Sequence, residues 1–343
     1  LWTVQVERIV YRPAALALRW AFGEVSPNNL LTGSWQDALA RQRAESLRRS
    51  WRPFRVTRIE DESANIRSFY LEPTDGAGIP AFESGQHLPV RVVPSGDGVE
   101  VIRTYSISSA PSDACLRISV KRQGLVSSFL HDHVRVGSIL QARAPQGTFV
   151  VDASVHRPLV LLAAGVGVTP LLSMLRHVVY EGQRTRRTRP TYFFQSARNL
   201  AERPFAAELA QLAAIAGNSL RTCQILSAPE GSARTDKHFD VAGRMDIELL
   251  KAWLPFDDYD FYLCGPTPFT QELYDALREM HIPDLRIHAE SFGPSALARK
   301  PDEGAVPTVV QPPAAATPVA VLFAHSAKEA RWTPDSGTLL ELA

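Results

Sequence analysis

The sequence has few cysteines, no long apolar run and almost no net charge. Its 343 residues include only three cysteines, at positions 115, 223 and 264. This odd number at wide spacing argues against a disulfide framework or a complete cysteine metal site, and predicts a reducing, cytoplasmic setting with no metal held by this chain. No apolar run approaches the roughly 18 residues of a membrane span. A formal net charge of +1 provides no overall field to attract nucleic acid or a membrane, so neither is expected as a partner.

The length predicts two domains with part of a third. Position 1 is Leu with no signal-peptide pattern after it, and the last residues, 337–343, end inside an apolar helical pattern that has no cap. Both ends predict a fragment of a longer polypeptide. Residues 1–51 are mostly helical in pattern and are predicted to be the tail of an upstream domain.

Residues 52–156 predict a small antiparallel β-barrel. Short alternating strands are separated by Asp-Gly and Pro-Ser turns, a spacing typical of barrels. The predicted strands are 55–59, 66–71, 87–92, 102–107 and 116–120. A helix is predicted to begin near Val126.

Residues 157–293 change to a rhythm of strand and helix, which predicts an α/β domain with a doubly wound parallel sheet. Its first strand, 158–164, is the longest apolar run in the chain. A Pro/Ala-rich linker follows over 294–318, and residues 319–343 begin a new domain with a strand.

The tetrapeptide Arg103-Thr104-Tyr105-Ser106 lies on a predicted strand of the barrel. Alternate side chains share one face of a strand, so Arg103 and Tyr105 are expected to point together. A tyrosine ring can stack on an isoalloxazine, an arginine can hold its phosphate chain, and the Ser106 hydroxyl can bond flavin N5. The alternative is a strand with one buried aromatic residue and one exposed arginine.

The helix start at Val126-Ser127-Ser128 is a second candidate for flavin binding. Free N–H groups and the helix dipole attract phosphate at such an end. The alternative is that one serine only caps its own helix. Val120 and Lys121, at the end of the preceding strand, complete the predicted flavin-binding set. Two nearby histidines, His131 and His133, are expected at the surface.

A glycine-rich turn, Gly165-Val166-Gly167-Val168-Thr169-Pro170, follows the apolar strand and opens a helix. Glycines allow the backbone to approach a pyrophosphate at a helix N-terminus, so Gly165, Gly167, Val168, Thr169 and Pro170 are predicted NAD(P) residues. A third glycine at the fingerprint spacing is absent, and a simple tight turn is the alternative.

Ser196 and Arg198 follow the next strand, where the adenosine ribose of a dinucleotide would lie. They could hold a 2′-phosphate and favour NADPH, with a plain surface arginine as the alternative. The neighbouring Arg184, Arg186 and Arg187 could add positive charge, with plain solvated charges as the alternative. Sequence leaves the choice of nucleotide open.

Cys264-Gly265-Pro266 ends a later strand of the α/β region. Ligands of open α/β sheets lie outside the carboxyl ends of the strands, so these residues are expected beside a nicotinamide, with Cys264 steering its reactive carbon. A buried structural cysteine is the alternative.

Over residues 52–293 the chain resembles the ferredoxin–NADP reductase superfamily, in its oxygenase-reductase and flavohaemoglobin-like branches. Four motifs in order carry the resemblance: 103–106, 165–170, 264–266 and Glu290-Ser291-Phe292-Gly293. The resemblance implies a flavin-binding barrel followed by an NAD(P)-binding domain. It also implies that Phe292 lies near the flavin ring and that Glu290 takes part in proton or electron transfer.

The resemblance leaves two flavins open. Segments 124–128 and 145–149 resemble FAD enzymes, whereas 290–293 with the linker after it resembles phthalate dioxygenase reductase, whose flavin is FMN. FAD is favoured. The function this implies is an NAD(P)H-dependent flavin reductase, and the alternative is a non-catalytic flavin-binding relay that uses no pyridine nucleotide.

Residues 319–343 resemble the start of a plant-type 2Fe–2S ferredoxin domain, with strands at 319–323 and 330–332 and a helix at 337–340. The cluster cysteines of such a domain are absent from this sequence. A cluster is therefore expected only in a full-length protein, where it would accept electrons singly. An oxygenase, a haem or a molybdenum protein is the other kind of acceptor. The first fifty residues resemble the helical module after a MOSC domain.

Overall fold

The computed structural model describes residues 50–94, 98–231, 233, 235, 237–292, 297–300, 302, 319–323 and 328–333. The chain divides into two compact units, Leu1–Arg299 and Lys300–Ala343. Most of the predicted N-terminal helical segment, most of the predicted linker and the predicted final helix lie outside the described residues.

The first sheet is antiparallel and has six strands in the order β4-β3-β6-β1-β2-β5. The strands are β1 (Arg52–Asp61), β2 (Ile66–Pro73), β3 (His87–Val92), β4 (Val101–Ser106), β5 (Leu116–Lys121) and β6 (Ile139–Ala142), with helix α1 (Leu125–His133) between β5 and β6. In β1 the residues Phe54 and Val56 are fully buried and Arg55 between them is exposed, as strand alternation requires.

The two edge strands of this sheet meet and close it into a barrel. Just after β4, Ile107 forms a bridge with Ile118 of β5, and the Ser108 N–H donates to the Arg117 carbonyl at 2.7 Å. These contacts join the two end strands at one end of the barrel. The predicted antiparallel barrel is confirmed, although β6 was not predicted because its four residues carry almost no pattern.

The second sheet is parallel, with six strands in the order β10-β9-β8-β7-β11-β12. Its elements are β7 (Leu159–Ala164), α2 (Val168–Thr185), β8 (Thr191–Ala197), α3 (Ala206–Ala216), β9 (Leu220–Leu226), β10 (Val241–Ala242), α4 (Ile247–Trp253), β11 (Asp260–Gly265), α5 (Thr267–Glu279) and β12 (Ile287–Ser291). Short 3₁₀ turns cover Gly165–Gly167, Gly217–Ser219 and Asp284–Arg286. The doubly wound α/β arrangement is as predicted.

The apolar run of β7 is explained by its central place, because both of its faces are covered. Leu159 and Leu161 belong to one hydrophobic cluster, together with the buried face of α2, and Val160 and Leu162 belong to another on the opposite face. A strand buried on both faces has no need for polar alternation.

The second unit contains an antiparallel hairpin of β13 (Val319–Phe323) and β14 (Lys328–Trp332), with Val319 opposite Trp332. Both strands agree with the sequence prediction. Among the helices that the structure describes, none has the length and apolar character needed to cross a membrane.

Candidate functional site

The parallel sheet has a topological switch point between β7 and β11. Strands β8, β9 and β10 lie on one side of β7, whereas β11 and β12 lie on the other. Connections leave the two central strands in opposite directions, which opens a crevice at their carboxyl ends. The turn Gly165–Gly167 and the segment Cys264-Gly265 both lie at this edge.

The two turns touch each other through Gly167. A Cβ on Gly167 would lie 2.1 Å from the Cys264 carbonyl oxygen and 2.6 Å from the Gly265 nitrogen, so no larger residue fits. Gly165 differs: its φ of +56° is left-handed, and a Cβ there would meet nothing within 4 Å. The geometry gives Gly167 a packing role and leaves open space beside Gly165, and the phosphate contact that the sequence predicts for both glycines remains a prediction.

Helix α2 begins at Val168, one residue before the predicted start, with Gly167 as its N-cap. The side chains of Val168, Thr169 and Pro170 are all buried, and the Thr169 hydroxyl donates to the Val166 carbonyl at 2.9 Å. Their side chains therefore build the turn. A dinucleotide at this helix end would meet backbone groups.

Cys264 lies opposite Glu290 on the neighbouring strand β12. The Cys264 side chain is fully buried, and burial together with the Glu290 carboxyl raises the pKa of its thiol well above 9.0. Burial raises the pKa of Glu290 to about 7. Cys264 is therefore a neutral thiol, which agrees with the buried-cysteine alternative, and its contact with a nicotinamide remains a prediction.

Glu290 has one feature that the sequence did not indicate. Its Oε2 atom is buried and finds no hydrogen-bond partner among the described residues. An unpaired buried oxygen is costly, and it fits a carboxyl that is protonated or that meets a ligand.

Gly265 connects this edge to Phe292. A Cβ on Gly265 would lie 2.8 Å from the Phe269 ring and 3.0 Å from the Ala164 Cβ, and its carbonyl accepts a hydrogen bond of 3.2 Å from the Phe292 N–H. The Phe292 side chain is 39% exposed. Pro266 is exposed as the N-cap of α5. Gly265, Pro266 and Phe292 thus lie together at the carboxyl edge of the sheet, while the contacts of Gly265 and Pro266 with a nicotinamide and of Phe292 with a flavin remain predictions.

On the barrel, β4 presents the predicted flavin-binding tetrapeptide. Tyr105 is half-buried against the barrel core, and burial raises its pKa to about 12, although the charge of Arg103 acts in the opposite direction. Arg103 and Thr104 are exposed, and Ser106 is buried beside its cross-strand partner His87. A partly exposed aromatic ring with a cation two residues away fits a flavin and its phosphate chain.

Helix α1 begins at Leu125 and is capped by its own serine. The Ser127 hydroxyl accepts hydrogen bonds of 2.9 Å from the backbone N–H groups of Gln123 and Gly124 and donates to the Gly124 carbonyl. Ser127 therefore has the local capping role left open as the alternative. Ser128 remains half-buried without such a bond among the described contacts, while Val126 is buried.

The residues around this helix depart from prediction in two places. The Val120 side chain is buried in the barrel core, so only its backbone and the half-buried Lys121 could meet a ligand. His131 is buried, with Nε2 at 2.8 Å from the Val120 carbonyl, so the expected surface position was wrong. His133 is exposed and stacks on Phe129.

At the carboxyl end of β8, Ser196 is half-buried and Arg198 is exposed. The Arg198 guanidinium forms no hydrogen bond or ion pair with the residues that the structure describes. Arg184 and Arg187 instead line a cavity of about 810 Å³ that also includes Asp152, before β7. They precede β8 and so lie at its opposite end, which overturns the expectation that they add charge near Ser196.

The barrel and the parallel sheet are joined next to both sets of site residues. Ser173 of α2 donates its hydroxyl to the Ser109 carbonyl at 2.6 Å. Ser109 follows Ser106 by three residues, which span at most about 10 Å, and Ser173 follows Thr169 by one helical turn of about 6 Å. The segments that carry the predicted flavin and nucleotide residues are therefore close to each other, a juxtaposition that no sequence motif contains.

Within the described part of the chain, no group of three His, Cys, Asp or Glu side chains has the geometry to hold a metal ion. The carboxyl edge of the sheet instead combines the Phe292 ring, a carboxyl with a pKa of about 7, a neutral thiol and a helix N-terminus, a combination suited to organic cofactors. A barrel and a doubly wound sheet that meet in this way define a two-domain FAD- and NAD-dependent oxidoreductase.

Comparison with known proteins agrees with this class. Residues 53–151 match the oxidoreductase FAD-binding domain and residues 161–274 the oxidoreductase NAD-binding domain. The chain is 38% identical to the flavohemoprotein of Bordetella pertussis over 72% of this chain and 62% of that protein. It is 36% identical to the flavohemoprotein of Rhizobium meliloti over 78% of this chain and 68% of that protein.

A solved structure of an FAD- and NAD-binding domain is also similar to this chain. The flavohem-like FAD/NAD-binding domain of nitric oxide dioxygenase from Vibrio cholerae is 34% identical, with a TM-score of 0.63, over 72% of this chain and all of that chain. The chain belongs to the ferredoxin–NADP reductase superfamily of FAD- and NAD-binding oxidoreductases. It spans about three fifths of the Bordetella relative's length, 62%.

Proposed function

We propose that this chain is an NAD(P)H-dependent FAD reductase. The observation that carries the proposal is the Ser173–Ser109 hydrogen bond, which connects α2, one turn after Thr169, to the loop that follows β4. In the reaction, NAD(P)H is oxidised as its hydride passes to the flavin, and two electrons then leave singly for an acceptor while a proton is released.

A bound flavin supplies acceptance of the hydride and release of single electrons; the protein supplies position and electrostatics. The half-buried Tyr105 offers a ring for stacking, and the exposed Arg103 offers a cation for the phosphate chain. Ser106 is the last residue of the same strand, and its hydroxyl is proposed to form a hydrogen bond with the flavin ring. Phe292, exposed at the opposite lobe, is proposed to cover the other face.

Glu290 and Cys264 are proposed to act at the nicotinamide side. With a pKa of about 7, Glu290 can hold or release a proton under neutral conditions. The neutral Cys264 thiol gives a soft, uncharged surface that would not repel a reacting ring. Because the pKa of its thiol lies well above 9.0, Cys264 cannot serve as an ionised nucleophile at neutral pH in this arrangement.

The proposed nucleotide is NADPH as well as NADH, with Arg198 as the selective group. Arg198 is exposed next to Ser196, and no described residue neutralises it. A free guanidinium at the carboxyl end of β8 suits a 2′-phosphate.

The proposed acceptor is a one-electron centre, and two kinds are supported by different observations. The β13–β14 hairpin matches the two strands expected at the start of a ferredoxin-type domain, which favours a 2Fe–2S cluster in a longer chain. The names of the flavohemoprotein relatives favour a haem acceptor. The ranges 52–156 and 157–293 are proposed as the two domains of the reductase, acting in the cytoplasm.

Anaerobic titration tests the proposal. The flavin is released and identified by chromatography, and the protein loaded with that flavin is mixed with NADH or NADPH. Stoichiometric bleaching of the flavin's visible absorption is expected. A protein that binds FAD but is bleached by neither nucleotide would be the non-catalytic relay instead.

A further inference from the structure

A buried ion-pair network joins the barrel to the parallel sheet beside the Ser109–Ser173 contact. It consists of Asp113 and Arg117 from the barrel, Arg176 from α2 and Glu208 from α3, and is called the interdomain clamp below. All four residues, with Ser109, line one cavity of about 760 Å³ between the two halves.

Two ion pairs of the clamp cross from the barrel to the α/β half. Arg117 donates two hydrogen bonds to Glu208, at 2.8 and 3.1 Å, and Arg176 donates two to Asp113, at 2.9 and 2.8 Å. A further bond from Arg176 to Glu208 connects the two crossing pairs. The Arg117–Glu208 pair is bidentate, with one guanidinium nitrogen on each carboxylate oxygen, which makes it directional as well as attractive. In the other pair, Arg176 Nη2 alone donates to both oxygens of Asp113.

Burial makes this geometry hard to change. The Arg117 and Glu208 side chains are only 5% and 17% exposed. Arg117 is also held by the Ser108 hydroxyl and carbonyl, at 3.0 and 2.7 Å. Moving either half would leave a buried charge without its partner, which is strongly unfavourable, whereas the intact pairs add little net stability. The clamp therefore fixes the relative position of the two halves more than it adds to the stability of the folded protein.

The elements held by the clamp are those that carry the predicted cofactor residues. Asp113 lies on the loop that follows Ser106 of β4, and Arg176 lies two helical turns after Thr169 on α2, about 10 Å along the axis. The position of α2 relative to the end of β4 sets the separation between a nicotinamide and a flavin. A displacement of about 1 Å can change the rate of such a transfer by about a hundredfold.

We propose that Asp113, Arg117, Arg176 and Glu208 are positioning residues that set the nicotinamide-to-flavin separation for hydride transfer. The proposal rests on the proposed function. It assigns the clamp no contact with either cofactor.

The test compares Glu208→Gln with Asp260→Asn. Asp260 is a matched control, because it too is buried and accepts from two arginines, Arg157 at 3.0 Å and Arg189 at 2.5 Å, but all three residues lie on the α/β side of the clamp. The FAD-loaded proteins are mixed with saturating nucleotide in a stopped-flow instrument, and dissociation constants for FAD and nucleotide are measured separately.

For Glu208→Gln we expect hydride transfer to slow by about tenfold or more, while both dissociation constants stay within about twofold. Asp260→Asn should leave the rate unchanged, even if it lowers the thermal stability. A normal rate in Glu208→Gln, or a loss that follows weaker binding of either cofactor, would overturn the proposal.

Hydrogen exchange provides a readout independent of activity. Backbone amides of 109–117 and 201–208 should lose protection in Glu208→Gln and keep it in Asp260→Asn, with or without cofactors. Unchanged protection would show that the clamp does not hold the two halves. If Glu208→Gln fails to fold, Asp113→Asn removes the other end of the network, and Asp113→Glu, which keeps the charge, should recover part of the rate.

The two proposals can fail separately. A wild-type protein that neither nucleotide reduces would refute the reductase function, while the exchange experiment would still report on the clamp. A wild-type protein that is reduced normally, with Glu208→Gln equal to it, would refute only the clamp.

Discussion

Glu290 lies in register with Cys264 on adjacent parallel strands, and its buried Oε2 has no hydrogen-bond partner among the described residues. The carboxyl and the thiol therefore share one apolar environment that disfavours a charge on either. This pair lies at the carboxyl edge of the parallel sheet, where the nicotinamide is proposed to bind.

Replacing Glu290 by Gln should change how stability depends on pH. Burial raises the pKa of Glu290 from 4.5 to about 7, so between these values the folded state holds a proton that the unfolded state has lost. The stability contribution of this group is present below pH 4.5 and declines as pH rises through about 7. In Glu290→Gln that part of the decline should disappear.

Urea unfolding of both proteins across this pH range measures the effect. An identical fall of stability with pH in the variant would contradict the burial of the carboxyl. If Glu290 also handles a proton in the reaction, the wild-type rate should change near pH 7 and the variant's rate should not.

Replacing Gly167 by Ala should damage the nucleotide site. The added Cβ would lie 2.1 Å from the Cys264 carbonyl oxygen, so the two turns must separate. We expect a loss of about 1–3 kcal/mol in stability, as for other overpacked sites, together with weaker binding of NAD(P)H. Thermal unfolding and nucleotide titration measure the two effects.

Gly165→Ala is the comparison for that change. Its Cβ would meet no atom within 4 Å, so only the left-handed φ of +56° is penalised, at about 1–2 kcal/mol. Nucleotide binding should fall less than in Gly167→Ala. The reverse order would show that Gly167 is not the contact between the turns.

Replacing Arg198 by Ala should raise the Michaelis constant for NADPH far more than that for NADH. A charge-assisted hydrogen bond to a 2′-phosphate contributes about 1.5–3 kcal/mol, which corresponds to about a tenfold to hundredfold change. Arg184→Ala, at the other end of β8, serves as control and should affect neither nucleotide. Equal effects of Arg198→Ala on both nucleotides would remove the assignment.

Replacing Tyr105 by Ala should weaken FAD binding, whereas Tyr105→Phe should largely preserve it. The ring provides stacking worth about 0.5–1.5 kcal/mol beyond the area it buries, and the phenol hydroxyl makes no described hydrogen bond. Quenching of flavin fluorescence on titration measures both variants. Equal weakening by the two substitutions would mean that the hydroxyl, and not the ring, holds the flavin.

Much of the architecture was predictable from local pattern. Alternating residues in β1 and the continuous apolar run of β7 indicate a half-buried and a fully buried strand, because side-chain periodicity follows directly from backbone geometry. The short β6 and the two-residue β10 were missed, since pairing with neighbours defines them more than their own residues do.

The candidate site was predictable only in part. Gly165 and Cys264 could be named as candidates because turns after apolar strands have recognisable composition. The burial of His131, the packing role of Gly167 and the pairing of Arg117 with Glu208 were not, because each depends on a residue distant in sequence.

The amino-acid sequence alone determined the class of each half, a barrel and a wound sheet, and the residues at the ends of their strands. The tertiary structure alone decided that the end of β4 meets α2, that Glu290 lies opposite Cys264 and that four distant charged residues form one clamp. The physical reason is that periodicity and turn chemistry act over a few neighbouring residues. Burial, pKa and ion pairing arise from contacts that exist only after the chain has folded.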